Sequence, residues 1–181
     1  IPSERLSLNQ RLTFLLKDIR EGIRDKDIIL SRADPEFVKK LFAREVPEIS
    51  SGSVEIKTIA RESGIRTKIT VASSQPGVDP VGSCVGQKGV RVQAVTNELD
   101  GERIDIIPWS EDLQELIKSA LSPAEVSSIK LDEKKMQAMV FVPSDSLSLA
   151  IGKEGQNARL AAKLTGWKIE VAEDEAKVVK T

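Results

Sequence analysis

The sequence predicts an α+β fold in which one unit of helix, two strands, two helices and a strand occurs twice. Three observations lead there. Apolar positions switch between helical and alternating spacing along the chain; the segments Gly86-Gln87-Lys88-Gly89 and Gly152-Lys153-Glu154-Gly155 each lie between two apolar helical stretches; and the elements around both glycine pairs run in the same order. Gly86 corresponds to Gly152, Val85 to Ile151, Val81 to Leu147 and Gly89 to Gly155 at one constant offset, which has shrunk by one residue where Ile104 and Ile106 meet Ile169 and Val171. Coordinated matches within one element order mark the duplication of a whole domain, a stronger signal than either glycine pair alone. A chain of 181 residues is long enough for two such units, each with a modest core of its own.

From Leu12 to Leu30 the pattern is two strands, Leu12 to Ile19 and Asp27 to Leu30, across a charged turn around Gly22 and Asp25. A lone hairpin is marginal in water, so this segment should end a larger β domain or lean on the residues C-terminal to it. Asp34-Pro35-Glu36 opens a helix, with Asp as N-cap, Pro at the first helical position and an acid in the first turn. Phe37, Val38, Leu41 and Phe42 form its apolar stripe and Pro47 ends it. Val54, Ile56 and Thr58, then Thr67, Ile69 and Val71, alternate as two strands joined across Glu62-Ser63-Gly64. Their other positions carry Lys57, Arg61, Arg66 and Lys68, which are either a solvated sheet face or a wall facing phosphate. Val81 to Val85 is a short helix and Val90 to Leu99 a longer one that Asp100-Gly101 stops; Ile104 and Ile106 form a strand running toward Trp109.

The second unit repeats this. Ser110 is the expected cap of a helix with Glu111 and Asp112 in its first turn, Leu113, Leu116, Ile117 and Ala120 inward, and an end before Pro123. Ile129 to Leu131 and Met136 to Val142 form a hairpin around Asp132-Glu133-Lys134, with Met136, Ala138, Val140 and Val142 on one side. Met139 and Phe141 fall on the other, as contacts to the neighbouring domain or as a local variation of the core. Leu147 to Ile151, the second loop, Asn157 to Leu164 and the strand Lys168 to Val171 complete the unit. Trp109 leads at once into Ser110, so the units are expected to pack rigidly and to present one extended track.

Composition narrows the chemistry. Histidine is absent, which removes the usual metal ligand, proton shuttle and activator of Ser or Cys; no metal, cofactor or catalytic residue is expected. The single cysteine, Cys84, sits among apolar neighbours as a buried structural thiol and fits a reducing compartment. No apolar run approaches the roughly 20 residues that span a bilayer, and no basic start with an apolar stretch and cleavage site stands at the N-terminus, so a cytoplasmic protein without a membrane partner is expected. Net charge is -1, so any polyanion must be held by local basic groups. Aromatics are 3% of residues, too few for a sheet that stacks bases on exposed rings, which favours an aliphatic groove with backbone contacts.

A Gly-x-x-Gly segment between helices brings bare backbone to the surface near the amide-rich start of the second helix, where a sugar-phosphate backbone can approach. The nucleotide-binding pattern Gly-x-x-x-x-Gly-Lys-Ser/Thr needs a hydroxyl after its lysine, whereas Lys153 is followed by Glu154 and Lys88 by Gly89. The dinucleotide fingerprint lacks its leading Gly-x-Gly and preceding strand. Lys88 and Arg91 offer cations beside the first loop, Lys153 and Arg159 beside the second. Val85 and Ile151 line a groove floor or belong to the helix core. Glu154 suits the helix dipole but repels phosphate, so the second loop should work through shape more than charge. Gln156 and Asn157 either reach base edges and sugar hydroxyls or cap their helix.

Helix, two strands, helix, Gly-x-x-Gly loop, helix and strand resemble the KH domain of the prokaryotic type (type II), which clamps about four nucleotides of single-stranded nucleic acid. The run from Leu147 to Ala161, Leu-Ser-Leu-Ala-Ile-Gly-Lys-Glu-Gly-Gln-Asn-Ala-Arg-Leu-Ala, is similar to the signature of the second KH domain in the bacterial transcription factor family NusA. Asp79-Pro80-Val81-Gly82, Pro35-Glu36-Phe37 and Glu45-Val46-Pro47-Glu48-Ile49 are similar to its first KH domain. The resemblance implies three segments: 1–33 as the closing strands of an OB-fold barrel, 34–109 as the first KH domain and 110–181 as the second. It further implies a non-catalytic monomer that holds nascent single-stranded RNA and modulates pausing, termination and antitermination, with RNA polymerase and other Nus-type factors as partners of the full-length protein. The rivals are a protein-interaction scaffold, using the face of Met139 and Phe141, and a KH module of a ribosome-associated protein.

Overall fold

The computed structural model describes residues 1–174 apart from Ser3 and Ile23. Residues 175–181, expected as the tail of the second unit, lie outside the described residues. The chain divides into two compact units: one takes 1–56, 61–67 and 72–105, the other 57–60, 68–71 and the residues from 106 on.

In the first unit, β1 (Leu15–Glu21) and β2 (Lys26–Ser31) pair antiparallel as a two-stranded sheet, with a register shift between Leu16 and Asp18. The expected strand start at Leu12 moves to Leu15 because the Thr13 carbonyl accepts from Arg32 Nη1 at 2.6 Å instead of entering the ladder. Arg32 is buried, shared between Glu4 and Glu98 and lying 5.1 Å from the centre of the Phe37 ring. That ring belongs to α1 (Pro35–Glu45), which begins as the sequence dictates: the Asp34 side chain accepts from Glu36 N at 3.0 Å and Pro35 needs no partner. Phe37, Val38, Leu41 and Phe42 are its buried stripe. Pro47 ends α1 and at once opens a further turn, α2 (Pro47–Ser50), which the sequence pattern does not reveal.

β3 (Val54–Glu62), β4 (Arg66–Ser73) and β5 (Arg103–Pro108) form a sheet in the order β3-β4-β5; α3 (Pro80–Val85) and α4 (Val90–Glu98) flank the first glycine loop. The basic side of the hairpin is neither a solvated face nor a phosphate wall. Of its four cations only Lys57 is exposed. Arg61 is buried against Glu102, which also accepts from Gly64 N and Thr67 Oγ1, so its carboxylate is well supplied with donors. Arg66 pairs with Asp105 at 2.7 Å, and buried Lys68 donates to the Ser122 carbonyl at 3.2 Å. The reason is position: β4 is the middle strand, and Thr67 through Val71 are buried on both faces.

The second unit gathers a core from α5 (Leu113–Ala120), β6 (Ser128–Asp132), β7 (Gln137–Val142), α6 (Ser144–Ile151), α7 (Gln156–Thr165) and β8 (Lys168–Glu173). Ile117, Leu121, Val140, Val142, Leu160 and Leu164 fill it, with Ala60 and Ile107. β7 is central, antiparallel to β6 and parallel to β8. The cap of α5 is Asp112, accepting from Gln114 N at 2.8 Å, and not Ser110, whose hydroxyl accepts from Asp112 N just ahead of the helix. Met136 does not join the inward row: it closes the tight turn with φ 49° and is exposed, leaving Ala138, Val140 and Val142 inward. On the other side, the Lys130 ammonium lies 5.2 Å from the centre of the Phe141 ring. No helix among the described residues is long and apolar enough to cross a membrane.

Candidate nucleic-acid interface

The two glycine loops share one backbone. Gly86 and Gly152 have φ/ψ of 74°/171° and 75°/171°, and Gly89 and Gly155 have 78°/13° and 74°/14°. Between them Lys88 and Glu154 hold a left-handed conformation, φ 52° in each, which a residue with a Cβ adopts at a cost of roughly 1 kcal/mol. Their hydrogen bonds match too: Gly86 N donates to Gly82 O and Gly152 N to Ser148 O, both at 2.9 Å, and Gly89 N and Gly155 N close each turn at 3.1 Å. The helices after the loops, α4 and α7, start from a glycine with no side-chain cap, so their first amides face the loop.

The side chains singled out from the sequence fall into two groups. Gln87, Lys88, Lys153 and Glu154 are exposed at the loop tips, Val85 is half-buried, and Ile151 is 38% exposed on the helix leading into the second loop. Leu149, also on that helix, is 51% exposed and joins Ile151 as an apolar surface that the sequence pattern alone did not single out; its place in the apolar run leading to Gly152 is the signal that could have found it. The rest are engaged. Arg91 Nη1 bonds both Glu48 carboxylate oxygens, at 3.0 and 3.2 Å, and donates to the Ser83 carbonyl at 2.6 Å. Arg159 Nη1 donates to the Glu154 carbonyl at 3.0 Å, and Gln156 is half-buried. Asn157 is fully buried and donates through Nδ2 to the carbonyls of Leu121, Leu149 and Ala150, and its side chain does not cap α7. Residues that α7 places inward are fixed by packing, which a local reading of Gln156-Asn157 does not register.

Beside the first loop is an open cleft of about 780 Å³ lined by Glu48, Asp79, Ser83, Gly86, Gln87 and Val90, among others. Glu48 reaches it from α2, a placement not expected from the sequence; proline followed by an acid just past a helix end was the available sign. A hydrogen bond from its own backbone amide, then Arg91, holds the Glu48 carboxyl below its ordinary range despite some desolvation. Under the cleft, burial pushes the Cys84 thiol up to about 11, so the sole cysteine is protonated and inert. Among the described residues no group of His, Cys, Asp and Glu is arranged to hold a metal ion. What the two loops offer is bare backbone that a ligand can approach closely.

A model for a NusA-like first KH domain matches residues 32–109, and one for a NusA-like second KH domain matches 113–178. Proteins named transcription termination/antitermination protein NusA are 50% identical in Halalkalibacterium halodurans over 97% of this chain, 50% in Bacillus subtilis over 94%, and 49% in Thermus thermophilus over 97%. The chain spans 46%, 46% and 45% of those three proteins, about half the length of each. The crystal structure of APE1850 superposes with a TM-score of 0.55 at 22% identity, covering 77% of this chain and 97% of that one, a likeness of fold alone. With both KH models matched in order and identity near 50% along almost the whole sequence, the chain belongs to the NusA family and carries its tandem KH region.

Proposed function

We propose that this chain binds single-stranded RNA without catalysis, using both glycine loops as clamps. The observation that carries the reading is the recurrence of one strained, exposed loop backbone in two units whose side chains there differ. What a fold keeps while the side chains change is the shape offered to a ligand, and a bare, positive-φ backbone beside uncapped helix amides suits a sugar-phosphate chain. Gly86, Gln87, Lys88 and Gly89, with Val85 beneath, form the first clamp; Gly152, Lys153, Glu154 and Gly155, with Ile151, form the second. In the longer protein of which relatives are examples, this part holds nascent RNA during termination and antitermination, beside RNA polymerase and other Nus-type factors. It acts in the cytoplasm, as a monomer.

The experiment is a titration of fluorescent single-stranded and duplex RNA of the same random composition at a series of salt concentrations. Single strands bind more tightly, and log affinity falls against log salt by about 0.7 per neutralised phosphate, giving a shallow slope for a protein with one lysine at each loop tip. Equal binding of duplex RNA, or no saturable binding of either at low salt, contradicts the reading.

A further inference from the structure

We propose that Arg91 and Asn157 are positioning residues that latch the two loops to the helices before them, and that neither is a contact to RNA. The proposal rests on the loops being the RNA sites. Both residues stand second after the closing glycine of their loop. Each presses on the opening glycine: a Cβ on Gly86 would lie 2.7 Å from Arg91 Cγ, and one on Gly152 would lie 2.8 Å from Asn157 N and 2.9 Å from its Cβ. Nothing comparable crowds the closing glycines, where the nearest atom is Val92 Cγ1 at 3.9 Å from a Cβ on Gly89 and a Cβ on Gly155 meets nothing within 4 Å. At Gly86 the crowding comes from the Arg91 side chain, and at Gly152 from the backbone and Cβ of residue 157, so a side chain on either opening glycine would displace the residue that holds the loop.

The two side chains also reach the same carbonyl. Arg91 Nη1 donates to Ser83 O at 2.6 Å and Asn157 Nδ2 to Leu149 O at 3.2 Å; Ser83 and Leu149 are equivalent residues, three before the opening glycine, where the helix end leaves carbonyls without intrahelical donors. From there each ties down a helical turn that precedes the hairpin of its repeat, Arg91 through Glu48 of α2 and Asn157 through the Leu121 carbonyl at the end of α5. A guanidinium and an amide share these contacts but not a charge. Asn157 is fully buried, whereas Arg91 is 30% exposed and lines the cleft, so it is the shared carbonyl contact, and not burial, that assigns Arg91 the same role.

The test uses the full chain with the second loop disabled by Lys153→Asp and Glu154→Asp, so that a random-sequence single-stranded RNA pool reports on the first loop. Arg91→Ala lowers affinity about tenfold, the scale of one lost hydrogen bond to a charged group, with the salt slope unchanged. Arg91→Asn, which installs the second unit's residue, recovers most of that loss. Hydrogen exchange at the Gly86–Gly89 amides speeds up in Arg91→Ala and returns toward the parent rate in Arg91→Asn. Unchanged RNA affinity in Arg91→Ala overturns the proposal. So does a salt slope that drops by about 0.7 in both variants with exchange unaltered, because Arg91 is then a phosphate contact. If the parent binds no RNA, the proposed function fails instead, and the exchange rates still decide the latch.

Discussion

At residue scale, Lys88 and Glu154 occupy the same left-handed position and carry opposite charges to the same place. A phosphate approaching the second loop meets a carboxylate that is exposed, so the repulsion is screened and modest. Glu154→Gln should tighten RNA binding by a few-fold at low salt, with the gain fading as salt rises, read in the same titration; weaker binding would mean that the carboxylate accepts from a base or sugar. Cys84 gives a second prediction. Its thiol ionises near 9.0 when unfolded and near 11 in the fold, because of burial first and then the charges of Glu48 and Asp79, against which Arg91 acts. The folded pKa is the higher one, so this contribution to stability is complete below pH 9.0 and is lost as pH rises through 11. Cys84→Ala should flatten the alkaline fall of Tm over that window; an identical fall in both proteins would assign it to other groups.

At the scale of elements, what was legible depended on how local the cause was. Asp34-Pro35-Glu36 and the glycine loops follow from backbone demands carried by the residues themselves, and they stand where the sequence puts them. The start of α5 was legible to within two residues, with Ser110 and Asp112 competing for one job. Asp112→Ala should cost about 1 kcal/mol in denaturant unfolding and Ser110→Ala clearly less; the reverse order would restore Ser110 as the cap. The buried positions of Arg61 and Lys68 were illegible because alternation reports the pleat of a strand and not its neighbours. In the middle of a sheet the charged side is covered as well, and its desolvation is offset by Glu102 and the Ser122 carbonyl. The burial of Asn157 was illegible for the same reason: its partners, the carbonyls of Leu121 and Leu149, lie at the end of α5 and on α6.

For the whole molecule, duplication is the main fact. A chain with net charge -1 cannot hold RNA by bulk attraction, so under the proposed function affinity comes from two loops of one geometry, one in each unit. The most direct measurement is therefore RNA affinity in four proteins: the wild type, Gln87→Asp with Lys88→Asp, Lys153→Asp with Glu154→Asp, and all four changes together, with Tm recorded for each. These side chains are exposed, so Tm should stay within a few degrees throughout, while each pair weakens binding at least roughly tenfold and the combination abolishes it. RNA affinity unaltered in the fourfold variant would contradict the assignment of these loops as the clamps.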